Sequence, residues 1–229
     1  MEIHFVCLSV PVFWHVMRKL DIIQSMHDRN GQHPDHACLF EVASAQSGHF
    51  TTAQARVCGF GTDLLTHHAR TGRFLRVHRG VYRLRDYPSS PYQDLVAAWL
   101  ALGRETAVVS HESALALHDL SDVIPSAVHL TVPRARRYLP RLPNVRLHTT
   151  SRPLEATDVV EREGIRVTAP SRTILDAAEA GTGPEQVEMA IRQAVRRGRL
   201  VPDQLRVAAR ERSRRVRGLV EGALGEARA

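Results

Sequence analysis

Lysine is all but missing from this 229-residue sequence: Lys19 stands alone, and every other strong cation is arginine. Codon usage in a GC-rich genome produces that skew, so arginine abundance alone argues for no function and the placement of charge has to. Cysteine is scarce as well. Cys7, Cys38 and Cys58 are too few and too scattered for a disulfide framework or a cysteine-rich zinc site, which points to a reducing cytoplasm. Long apolar runs are also lacking. The longest, Ile3 to Val16, is broken by His4, Ser9, Pro11 and His15 and falls short of the roughly 20 residues a membrane helix needs. No low-complexity tract is present, and at 43% hydrophobic residues the chain is neither a disordered tail nor a collagen-like fibre.

What remains is a basic chain, net +7, long enough for one large or two small domains. Its charge is unevenly spread. Residues 1–35 carry three Lys/Arg against four acids, lack clear periodicity, and read as a poorly structured leader rather than a signal peptide. Residues 36–85 carry seven arginines against Glu41 and Asp63, a net of +5, whereas the remainder carries 21 arginines against 18 acids.

That central segment has a legible plan. Apolar residues at Leu39, Phe40, Val42, Ala43 and Ala45 describe a helix over His36 to Ser47, stopped by Gly48. Thr51-Thr52-Ala53-Gln54 has the form of a capping box and opens a short second helix ending at Gly59. A third starts near Gly61 or Thr62, turns Leu64, Leu65 and Ala69 inward, and ends at Gly72. Two short strands, Phe74 to His78 and Val81 to Leu84, then flank Arg79-Gly80. Three helices and a hairpin make a winged helix-turn-helix, whose third helix enters the DNA major groove. The face left outward carries Thr62, Asp63, Thr66, His67 and Arg70. The wing offers Arg73, Arg76, His78 and Arg79 to phosphates or a minor groove. With Thr51 at the head of the second helix, these are the candidate DNA-binding residues. His68 falls beside the inward face and reads as a hydrogen-bonded core histidine.

Several runs carry a family resemblance. Gly48-His49-Phe50-Thr51-Thr52-Ala53-Gln54-Ala55 and Thr71-Gly72-Arg73-Phe74-Leu75-Arg76-Val77-His78-Arg79-Gly80-Val81-Tyr82 are followed by Val109 to His118, Val128 to Pro133 and Val167 to Asp176. Together, over roughly Cys38 to Leu205, they resemble AbiEi-type antitoxins, the transcriptional regulators of type IV toxin–antitoxin systems. The resemblance implies a cytoplasmic repressor of its own operon with double-stranded operator DNA as partner. A nucleotidyltransferase-like toxin is a further candidate partner, and so is a second copy of the chain on an inverted repeat. In the family pattern the third helix opens with a Ser cap followed by Arg; here Gly61-Thr62-Asp63 stands in those places. An acid there suits the helix dipole and could accept from a cytosine amino group, so the departure bears on operator sequence.

Residues 91–225 read as a mixed α/β antitoxin-like domain, giving with the winged helix-turn-helix of 36–86 an α+β chain. Tyr92, Leu95, Val96, Trp99 and Leu100 mark a helix with one buried stripe, and Ser110 reads as the N-cap of another through Leu117. Val128-Leu130-Val132, Val145-Leu147 and Ile165-Val167 alternate with polar residues as half-buried strands. Helices follow from Pro170-Ser171 and from Pro184, and the turns from Arg206 are mostly polar and basic. Two basic features, Arg134 to Arg141 around Tyr138 and Arg210 to Arg217, read as a solvated loop and helix that could extend a nucleic-acid footprint or hold a toxin.

Catalytic constellations are absent. Leu64 stands at the third glycine place of a dinucleotide fingerprint, and no phosphate-loop Gly-Lys-Ser/Thr occurs. Ser110, His111, Glu112, His118 and Asp119 invite a hydrolase or metal reading, but His111, Ala114, Leu115 and His118 form a stripe that packs. No enzyme activity, cofactor or metal is expected. The alternatives are a shortened, inactive relative of endonuclease-like proteins sharing this N-terminal region, and a protein-interaction module without specific DNA binding. If the patternless start reflects initiation at Met17 or Met26, the intact mass of the native protein matches a chain begun there; a mass matching Met1 disproves it.

Overall fold

The computed structural model describes residues 33–226, so the leader reading falls outside the described residues save for 33–35. There Asp35 already belongs to the fold: its carboxylate accepts from Cys38 N and caps α1 (His36–Ser44). The chain continues through β1 (His49–Thr51), α2 (Thr52–Val57), α3 (Thr62–Arg70), β2 (Phe74–His78) and β3 (Val81–Leu84). β1 pairs antiparallel with β3, and β3 with β2, so the expected hairpin is the larger part of a three-stranded sheet. β1 was not foreseen because three residues are too few to show alternation. Leu39, Phe50, Phe60, Leu65, Phe74 and Tyr82 make the core of this unit. Phe50 stands edge-on to Phe74, with ring centroids 5.1 Å apart.

Beyond it run α4 (Gln93–Leu102), β4 (Val108–Val109), α5 (His111–Leu117), β5 (Val128–Pro133), β6 (Val145–Thr150), β7 (Val159–Arg162) and β8 (Ile165–Thr168). They are followed by α6 (Pro170–Ala180), α7 (Pro184–Arg196), α8 (Pro202–Ala209) and α9 (Arg214–Glu226). The second sheet is mixed, in the order β6-β5-β4-β8-β7: β5 runs parallel to β6 and β4 to β8, and the other pairs are antiparallel. The chain is thus α+β, as its patterning implies.

Three expectations need correction here. First, α4 has no single buried stripe: every residue from Leu95 to Leu100 is buried. The helix lies between the two sheets, touching β1, β2 and β3 on one side and β5 on the other, and Val81 of the wing joins its cluster. Trp99 is buried at its centre and donates its indole N–H to Ala107 O at 2.9 Å. Second, β5 is not half-buried, since His129 and Thr131 are as enclosed as Leu130 and Val132. Third, the last turns are more than a solvated basic end. Val216, Val220, Ala223 and Leu224 form a buried stripe on α9 that packs against α7 and α8, at a spacing the surrounding arginines mask.

The basic tail is likewise partly spent inside the fold. Asp176, on α6, is held at one carboxylate oxygen by Arg172 Nε (2.7 Å) and at the other by Arg212 Nη2 (2.8 Å). Arg215 donates to Ala178 O. These bonds pin the turn between α8 and α9 onto α6.

His118 closes the same region by donating Nε2–H to Thr168 O at 2.7 Å. Burial lowers its pKa from 6.5, and Arg162 and Arg199 lower it further against the opposing effect of that hydrogen bond. The unfolded chain therefore binds a proton near pH 6.5 that the folded chain does not, and this contribution to stability is complete above that pH and lost as pH falls below it. In urea unfolding, His118→Gln keeps an amide donor and makes the acid loss shallower, by at most about 1.4 kcal/mol per pH unit; an unchanged slope rules the linkage out.

Candidate nucleic-acid interface

The turn before α3 is set by glycine. Gly59 has φ +82°, and a Cβ there would lie 2.8 Å from His33 O, so no larger residue fits the close passage of the two segments. Gly61 then caps α3 without a side chain, leaving the first amides of the helix open to the outside. On α3 itself Leu65 and His68 are buried, whereas Thr62, Asp63, Thr66, His67 and Arg70 are exposed. Their i, i+1, i+4, i+5, i+8 spacing puts them on one face. Thr66 Oγ1 donates to Thr62 O at 2.9 Å, so its hydroxyl keeps only acceptor capacity. Asp63 occupies the first turn and the basic residues the last, the arrangement that suits the helix dipole.

The wing divides its arginines by function. Arg73, Arg76 and Arg79 are exposed and His78 is half-buried, while Arg79-Gly80 makes the tip, with Gly80 at φ +75°. Among the described residues no ion pair neutralises Arg70, Arg73, Arg76 or Arg79. Arg83, by contrast, is buried, and its guanidinium donates to Leu84 O, Tyr87 O and Pro88 O; Arg85 donates to Gly72 O. Those two arginines hold the wing's base and leave the outer surface to the others. Thr51 is placed differently from the rest of the candidate set. It is half-buried, and its hydroxyl accepts from Gln54 N at 3.2 Å while its own amide donates to Gln54 Oε1 at 2.8 Å. The capping box read from the sequence is therefore formed, and it occupies the hydroxyl counted among the candidate DNA-binding groups.

His68 is a core residue as expected, but not a hydrogen-bonded one. Its ring lies 4.8 Å from that of Phe74 and 6.0 Å from that of Phe60, and Nδ1 has no partner. Burial lowers its pKa from 6.5, reinforced by Arg73, His36 and His67.

Cysteine scarcity is also misleading. Cys38 and Cys58 form a disulfide with Cα atoms 5.7 Å apart, because the first turn of α1 packs on the end of α2, where Asp35 N donates to Cys58 O. The cysteine count therefore no longer argues for a reducing compartment.

With three helices, a three-stranded sheet and an outward face on α3, residues 36–84 have the architecture of a winged helix-turn-helix. The family described as "Transcriptional regulator, AbiEi antitoxin" matches residues 39–85, so the resemblance seen in the sequence holds over that stretch. That family is one of regulators and not of enzymes. No curated protein matches the chain. Among solved structures, the crystal structure of the RV2827C protein from Mycobacterium tuberculosis is similar, with a TM-score of 0.56 at 15% sequence identity over 82% of this chain and 75% of that one. At that identity the likeness is one of fold. Among the described residues, no helix is long and apolar enough to cross a membrane.

His111, set aside in the sequence as part of a packing stripe, belongs to one further concentration of chemistry. His111, His129 and His148 come together from α5, β5 and β6. Along each strand the histidine is merely the polar member of an alternating pair, so only the parallel register of β5 on β6, which sets Thr131 opposite His148, reveals the grouping.

Because the disulfide closes a 20-residue separation across α1 and α2, its reduction costs the winged helix up to about 3 kcal/mol. Urea titrations with and without reductant measure this, and coincident curves rule the disulfide out as a stabilising link.

Proposed function

We propose that this chain is a DNA-binding transcriptional autorepressor and antitoxin of a type IV toxin–antitoxin system. Residues 36–86 are the DNA-binding unit. Residues 91–225 form the antitoxin-like unit, which either neutralises a nucleotidyltransferase-like toxin or joins two copies of the chain over an inverted repeat in operator DNA. The observation that carries this reading is the pairing of two surfaces: an α3 face with residues suited to base edges, and a wing with three exposed arginines that no acid among the described residues neutralises. The family match over residues 39–85 supports it. A repressor of this kind works in the cytoplasm, where its operator is, and needs neither cofactor nor catalysis.

The roles divide by chemistry. Arg73, Arg76, Arg79 and His78 contact phosphates or an adjacent minor groove and set affinity. Thr62, Asp63, Thr66, His67 and Arg70 read bases and set preference, and Asp63 favours cytosine, whose amino group it can accept. Thr51 contributes through the cap it builds for α2.

Fluorescence anisotropy on the DNA upstream of the gene tests the reading. Arg76→Ala and Arg79→Ala each weaken binding on every sequence and flatten the slope of log K against log salt by about one. Thr62→Ala and His67→Ala change sequence preference more than salt slope. Unchanged affinity and slope in both arginine variants refute the wing contact. Nicking of plasmid DNA with Mg²⁺ that tracks the purified protein would favour the endonuclease-like alternative instead.

A further inference from the structure

Three imidazoles meet where α5 begins. His148 Nε2 lies 3.2 Å from His129 Nδ1, the rings of His111 and His148 stack with centroids 3.5 Å apart, and one ring nitrogen of each histidine lies within 4.8 Å of the others. His111 and His129 are buried and His148 is half-buried, so the group opens outward only on the β6 side.

A polar shell surrounds the three rings. Ser110 Oγ is 2.8 Å from His111 Nδ1 and accepts from Thr131 Oγ1, also at 2.8 Å. Ser110 occupies the N-cap position of α5, yet makes no capping bond: its hydroxyl is turned to His111 instead. On the far side His129 Nε2 is buried with no hydrogen-bond partner among the described residues, and Glu112 Oε2 lies 3.9 Å away. Thr182 holds that carboxylate by donating to Oε1 at 3.1 Å. His111 itself has φ +52°, a left-handed conformation that a β-carbon disfavours and that the surrounding structure must impose.

We propose that His111, His129 and His148 form a binding site for one divalent late transition-metal ion, of the zinc class. The donor set is all imidazole, which suits such ions and not magnesium or calcium. Bonds of 2.0–2.1 Å to a tetrahedral ion put ligand atoms about 3.3 Å apart, the spacing already present between His148 Nε2 and His129 Nδ1. The widest pair has to close by at most about 1.5 Å, and the stacked rings of His111 and His148 have to tilt out of parallel so that both in-plane lone pairs meet the ion.

Ligation also explains the shell. With Nε2 of His111 on the ion, Nδ1 carries the proton and donates to Ser110 Oγ. With Nδ1 of His129 on the ion, Nε2 carries the proton and faces Glu112, the carboxylate–histidine–metal arrangement that orients such ligands. The unpartnered nitrogen of His129 thereby finds its role, and three protein ligands leave a fourth position open on the side of His148.

The test uses the full, untagged chain stripped with chelator and titrated with zinc alone by calorimetry, then with cobalt(II) followed by visible absorption. One ion binds per chain at micromolar concentration or below, and cobalt gives the intense d–d bands of a tetrahedral site. His148→Gln, at a half-buried edge position the fold tolerates, weakens binding at least 100-fold. Glu112→Gln weakens it 10- to 100-fold, and the exposed control His33→Gln leaves it unchanged. Binding that is substoichiometric, or equal in wild type and His148→Gln, overturns the proposal. Should His129→Gln fail to fold, the wild-type cobalt spectrum and His148→Gln still decide.

Discussion

Much of this molecule hangs on the burial of one helix. α4 follows the wing directly and is apolar from Leu95 to Leu102, with seven of those residues buried. A helix buried at every position from Leu95 to Leu100 needs a partner on each side there, and the chain supplies a three-stranded sheet on one side and a five-stranded sheet on the other. Each large side chain in that position is worth about 1.5–3 kcal/mol of transfer from water. Trp99, whose only polar atom is satisfied by Ala107 O, is the largest of them. The winged helix thus gains a floor that its own small core could not provide, and the outer faces of α3 and the wing are freed from any packing duty.

Charge follows the same division. Arginine is the cation throughout, but it does two jobs that composition does not distinguish. Arg83 and Arg85 donate to backbone carbonyls, and Arg172 and Arg212 clamp both oxygens of Asp176. Their planar, multiply donating heads suit enclosed acceptors that an ammonium would serve poorly. Arg73, Arg76 and Arg79, in contrast, are exposed and have no acid among the described residues to neutralise them. The segment that holds most of the net charge in the sequence therefore loses two of its seven arginines to architecture, and what is left is concentrated on the wing and α3.

The parts of the fold legible in the sequence are those governed by local rules. The capping box at Thr51 and Gln54, the ends of α3, and the strands at Phe74–His78 and Val81–Leu84 stand where short-range chemistry puts them. The outward face of α3 followed from periodicity alone. What was not legible depends on partners distant in sequence. β1 and β4 have three and two residues and exist as strands only by pairing. The stripe on α9 is diluted by arginine, and the disulfide depends on how α1 meets α2. Ser110 looks like a helix cap by type and position, yet its hydroxyl is claimed by His111. The histidine group is the extreme case, since its members come from three elements and each looks ordinary in its own.

The enclosure of α4 from Leu95 to Leu100 also bears on how the protein can move. A helix that seals two sheets together is a shaft and not a hinge: turning the winged helix against the larger sheet would shear a dry core instead of sliding along a wetted seam. The two sheets are thereby carried as one rigid body, and the outer face of α3 keeps a fixed bearing to the larger sheet.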